Sequence, residues 1–156
     1  MKRPEELNGS VLAFVGDAIL SLKVRTLLVE KGYTKPKDLQ ELSVRYVSAK
    51  AQAKFVHRLI DDNELNEEEL LIYRRGRNFK SDSVPKNTDV TTYRCATGYE
   101  ALWGYWYLSN MTDRLEQIWN QMQTRVQEDY GTIYLREKRG ETTTTNKNGS
   151  TETDSE

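Results

Sequence analysis

The chain has 156 residues, with 23 Lys and Arg against 24 Asp and Glu, one His and one Cys. That length suits one domain with a core of its own, and a lone Cys95 excludes an intrachain disulfide and a cysteine-built zinc site. No apolar run approaches the roughly 20 residues that span a bilayer, and the N-terminus lacks the apolar stretch of a secretory leader, so a cytoplasmic protein is expected.

In chain order the sequence reads as helices. Over 7–30, Leu12, Val15, Ile19 and Leu22 recur three and four apart, the spacing of one helix face, and Gly32 supplies a stop after Lys31. Pro36 suits the first turn of a short helix over 36–42. Val47, Ala51, Phe55 and Leu59 then predict a helix over 43–61. Asn66 followed by Glu67, Glu68 and Glu69 reads as an N-cap with acids at the positive end of the helix dipole, and predicts a helix running to Arg75 and ended by Gly76. Residues 81–87, with Pro85, read as a loop, and 91–109 and 113–130 as two further amphipathic helices.

No stretch sustains a period of two, so the expected class is all-α, a helical bundle with short connections over residues 1–136. The remainder, 137–156, is expected to be a disordered polar tail. From Thr142 onward it has no apolar residue to offset the entropy of ordering it.

The charges are segregated along the chain. Residues 61–69 hold six acids and no base, whereas 74–94 hold six bases (Arg74, Arg75, Arg77, Lys80, Lys86 and Arg94) and two acids. A near-neutral protein with one basic stretch can bind a polyanion locally, and a solvated loop has the same composition.

Two carboxylates stand in unusual company. Asp17 follows Gly16 inside the most apolar helix, where each costs roughly 0.5–1 kcal/mol against Ala. Glu100 lies among small and aromatic residues, with Thr97 three before it and Gly104 four after. Asp17 has two readings, a solvent-facing acid or a ligand. If the two acids converge, they make a site for one hard cation such as Mg²⁺, which takes oxygen ligands and uses only one or two protein carboxylates. Such a cation assists phosphodiester cleavage.

The segment Leu12-Ala13-Phe14-Val15-Gly16-Asp17-Ala18 resembles the signature segment of the ribonuclease III catalytic domain, and Ala96-Thr97-Gly98-Tyr99-Glu100-Ala101-Leu102 with Gly104 resembles its second acidic motif. Between them, residues 45–53, 74–78 and 85–94 are similar to the Mini-ribonuclease III branch, which has no separate double-stranded-RNA-binding domain. The resemblance covers roughly residues 8–127. It implies a homodimer of all-α catalytic domains that cuts both strands of double-stranded RNA with Mg²⁺ and leaves 5′-phosphate and 3′-hydroxyl ends. It also implies the 23S ribosomal RNA precursor as substrate and a large-subunit ribosomal protein as a candidate partner.

Asp17 and Glu100 match two of the four acids that full-length members carry. Ala13 and Thr97 stand where the other two would be, which favours a single ion and keeps open a catalytically silent RNA-binding or ribosome-assembly factor on the same fold. Without a separate RNA-binding domain the substrate falls to the catalytic domain itself, and Arg74, Arg75, Arg77, Asn78, Lys80, Lys86 and Asn87 are the expected contacts. Asp89 is expected to cap, His57 to be a packing or surface residue, and Trp103, Tyr105, Trp106 and Tyr107 to pack in the core or at a dimer seam.

Overall fold

The computed structural model describes residues 1–80, 84–86 and 88–132, together with the backbone of two short strands in the tail. Among the described residues a single 3-10 turn, Pro4–Glu6, precedes six helices: α1 Gly9–Glu30, α2 Pro36–Val47, α3 Ala49–Asp61, α4 Glu67–Asn78, α5 Val90–Leu108 and α6 Thr112–Tyr130. Among the described residues no helix is long and apolar enough to cross a membrane.

The most apolar stretch of sequence becomes the axis of the bundle. In α5, residues 101–106 are all buried, and α1, α3 and α4 pack around it. Tyr99, Trp103 and Trp106 are fully enclosed and meet edge-on, with ring centroids 6.4 and 6.3 Å apart. These quadrupole-favoured contacts give the core its centre. Tyr107, expected in the core or at a dimer seam, is 49% exposed in the single chain.

The helix boundaries depart from expectation in two places, each for a local reason. The 43–61 helix is in fact two: Ser48 has extended backbone (φ −64°, ψ 151°), and its hydroxyl accepts the Ala51 N–H at 3.1 Å. Ser48 thus ends α2 and caps α3, leaving 43–47 in the preceding helix. Gly76, expected to stop α4, lies inside it. A Cβ there would come within 2.8 Å of Gly98 Cα and Ala101 Cβ, so the glycine serves helix approach rather than termination. Gly32 ends α1 with a φ of 90°, as its position predicts.

The α4–α6 corner is pinned by a buried carboxylate that periodicity alone passes over. Asn66 and Glu69 form a reciprocal capping box. Glu69 Oε2 also accepts from Trp106 Nε1 at 2.7 Å and Arg114 Nε at 2.9 Å, and Oε1 accepts from Arg114 Nη2 at 2.9 Å. Burial alone would raise the Glu69 pKa, but Arg114, Asn66 and Trp106 together hold it below the usual carboxylate range. Arg114→Met strands that charge and should cost about 3–5 kcal/mol in urea unfolding. An unchanged midpoint would mean the pair does not hold this corner.

The tail, expected to lack structure, carries an antiparallel pair, β1 Thr142–Thr145 and β2 Thr151–Asp154, with Thr142 opposite Asp154. Four consecutive β-branched threonines favour extended backbone without any apolar signal. Of the loop expected over 81–87, residues 84–86 are described and carry no helix or strand. The rest of it, Asn87 included, lies outside the described residues.

Candidate active site

The site is made by how closely α1 and α5 cross. A Cβ on Gly16 would fall 1.7 Å from the carbonyl oxygen of Glu100, and one on Gly104 1.9 Å from that of Leu12. The two backbones therefore touch, and only glycine permits it. Asp17, next to Gly16, is thereby brought beside Glu100, near enough for its charge to act on that carboxyl. Asp17 is exposed and Glu100 half-buried, so the pair opens to solvent from one side.

Burial first, then the charge of Asp17, push the Glu100 carboxyl up to about 8. Without a cation the pair holds a proton up to that pH. The consequence for stability has a definite sign. Folding raises this pKa from its ordinary 4.5, so the folded state holds more protons between about pH 4.5 and 8, and stability falls as pH rises through that window. Thermal melts in EDTA should show Tm declining across it, and a divalent cation should restore most at the alkaline end, where no proton competes. A Tm in EDTA that rises from pH 5 to 8 would contradict this arrangement.

A third residue, which the sequence reading missed, touches Glu100. Gln52 on α3 is buried; its Nε2 donates to Val47 O at 3.2 Å and to Glu100 Oε2 at 3.5 Å, and its Oε1 has no partner. An acceptor stranded in this way costs about 1–3 kcal/mol. The available signal was a polar residue three and four positions before Phe55 and Val56, on the buried face of α3.

The remaining candidates fall as follows. Ala13 is buried, and the Thr97 hydroxyl donates to Tyr93 O at 3.0 Å within its own helix. Among the described residues no group of three or more His, Cys, Asp or Glu could hold a metal. The donors the pair presents are carboxylate oxygens alone. That set fits a hard cation that keeps much of its water, and does not suit zinc or another soft metal.

Arg74, Asn78, Lys80 and Lys86 are exposed. Arg75 donates to the carbonyls of Glu5 and Leu7, the latter at 3.3 Å, and so ties down the N-terminal turn. Arg77 lies over the Tyr73 ring, 5.6 Å from its centroid, and donates to Asn78 Oδ1 at 3.3 Å. A Cβ on Gly76 would lie 3.0 Å from Thr97 O, so this basic end of α4 adjoins α5 one turn before Glu100. Asp89 caps α5 through the Thr92 N–H at 3.1 Å, and His57 is exposed, with its Nε2 3.3 Å from Cys95 Sγ.

The family model described as Ribonuclease III domain matches residues 10–111, which include both Asp17 and Glu100. The chain is 48% identical over 120 residues to a protein from Enterococcus faecalis named Mini-ribonuclease 3, covering 77% of this chain and 91% of that one. It is 50% identical over 115 residues to the Mini-ribonuclease 3 of Brevibacillus brevis, covering 74% and 84%. A crystal structure of a Fusobacterium nucleatum protein superposes with a TM-score of 0.66 at 34% identity, covering 74% of this chain and 91% of that one. The chain belongs to the Mini-ribonuclease 3 family.

Proposed function

We propose that the chain cuts double-stranded RNA at the Asp17–Glu100 pair with Mg²⁺, as a homodimer, and that its substrate is the precursor of 23S ribosomal RNA. Family membership makes it an endoribonuclease of the ribonuclease III class. The observation that carries the finer reading is the glycine-made crossing of α1 and α5, which sets the exposed Asp17 beside the half-buried Glu100.

Asp17 and Glu100 are the residues that would hold the cation, which when bound supplies an activated water and stabilises charge on phosphoryl oxygens. The protein's own part is distinct. Glu100 must lose the proton that its burial and the Asp17 charge favour, and the α1–α5 contact keeps the two acids at fixed spacing. No histidine or lysine base is needed, which agrees with His57 being bound up with Cys95. Arg74, Arg77, Asn78, Lys80 and Lys86 supply charge and donors for phosphates and 2′-hydroxyls, the groups an A-form duplex exposes.

Two features support the assembly and the substrate class. Along α1, Val11, Phe14, Leu22 and Val29 are 42, 81, 62 and 59% exposed on one helical face, an apolar stripe suited to a second copy of the chain. The basic stretch makes binding salt-dependent: Arg74→Ala with Lys80→Ala should weaken duplex binding and lower the log–log salt slope by about two. An unchanged slope would place the RNA surface elsewhere.

The alternative, a catalytically silent RNA-binding or assembly factor, is favoured by Ala13 and Thr97 standing where acids are expected. One assay separates the readings: precursor ribosomal particles, an unrelated RNA duplex and a single strand, each incubated with protein and Mg²⁺. Discrete cuts in the 23S precursor stem with 5′-phosphate ends support the proposal, and binding without cutting in every case supports the silent factor. A requirement for particles over naked RNA would assign a role to a large-subunit ribosomal protein.

A further inference from the structure

Gln52 is 2% exposed and sits between two acceptors, the Val47 carbonyl at 3.2 Å and Glu100 Oε2 at 3.5 Å. A backbone carbonyl only accepts, so the amide nitrogen must face it. Turning the amide over would set oxygen against oxygen. Oε1 is therefore fixed as a buried acceptor with no donor. The amide nitrogen is engaged, since it satisfies the Val47 carbonyl at the end of α2 and meets Glu100, but the oxygen is left over. An amide kept here, and left half-satisfied, indicates a partner that arrives with the site's occupant.

We propose that Gln52 is the positioning residue of the cation site: Nε2 holds Glu100 Oε2 so that the carboxylate meets the cation in one orientation, and Oε1 accepts a hydrogen bond from a water of the cation's shell. The inference rests on the reading of Asp17 and Glu100 as metal ligands. A hard cation such as Mg²⁺ retains several waters, each a hydrogen-bond donor, and so brings what Oε1 lacks. Removing a partner that orients a ligand typically weakens metal binding by about 10–100-fold.

The test is a titration of Mn²⁺ into RNA-free protein, with free ion followed by electron paramagnetic resonance and thermal melts run in EDTA alongside. The parent, Asp17→Asn, Gln52→Met and Gln52→Leu are compared. Both Gln52 variants should bind Mn²⁺ at least about tenfold more weakly. The metal-free Tm of Gln52→Met should change little, since loss of the contacts to Val47 O and Glu100 Oε2 is offset by removal of a stranded acceptor. In cleavage, the Mg²⁺ concentration for half-maximal rate should rise by the same factor, with kcat recovered at saturation. Mn²⁺ affinity unchanged in both variants, whatever their metal-free Tm, makes Gln52 a packing residue and overturns the proposal. Asp17→Asn distinguishes the two levels. If it binds Mn²⁺ as tightly as the parent, the metal reading fails and Gln52 fails with it. If it alone weakens, only the role of Gln52 is lost.

Discussion

Asp17→Asn should lower single-turnover cleavage of an RNA duplex by at least about 10³-fold while leaving the fold and RNA binding intact. The substitution keeps the shape of the side chain at an exposed position and removes the charge that a cation would share with Glu100. It also removes a like charge from beside Glu100, which that charge helps to push up to about 8. The metal-free variant should therefore be at least as stable as the parent at pH 8, and one charge fewer near the phosphates does not weaken duplex binding. Loss of activity together with loss of fold, or cleavage within tenfold of the parent, would both contradict the assignment.

Gly16→Ala tests how the acids are brought together, and the sign of its effect is informative. In an ordinary helix interior this change stabilises by roughly 0.8–1.0 kcal/mol. Here the new Cβ would fall 1.7 Å from the Glu100 carbonyl oxygen, a backbone atom that cannot swing aside, so α1 and α5 must part. The cost should be about 3 kcal/mol or more. Because misplacement by about 1 Å can cost 10²-fold in rate, cleavage should fall by about that factor even at a temperature where the variant is folded. Urea unfolding and single-turnover rates on one preparation check both. A stabilised or fully active variant would mean the crossing does not set the spacing of Asp17 and Glu100.

Much of this was legible in the sequence because the signals were strong and local. Apolar spacing gave α1, α5 and α6 to within two residues at each end, Asn66 and Asp89 announced their caps, and Asp17 and Glu100 stood out by their glycine-rich, apolar surroundings. The failures share a cause, in that a residue's role was set by something distant in the chain. Gly76 looks like a stop until Gly98 and Ala101 are seen against it. Glu69 looks like one more acid of an exposed first turn until Arg114 and Trp106, 45 and 37 residues away, converge on it. Arg75 looks like a ligand for phosphate, yet its guanidinium is turned to the carbonyls of Glu5 and Leu7. Gln52 goes unremarked within 45–53 until α3 is packed on α5 and its amide meets Glu100.

The most direct measurement is cleavage of a perfectly paired RNA duplex by the full chain, with Mg²⁺ and with EDTA, beside Glu100→Gln. A site made of Asp17, Glu100 and a hard cation predicts cuts in both strands with Mg²⁺, none in EDTA, and none from Glu100→Gln at any pH. Cleavage that persists in EDTA, or in Glu100→Gln with Mg²⁺, would contradict it.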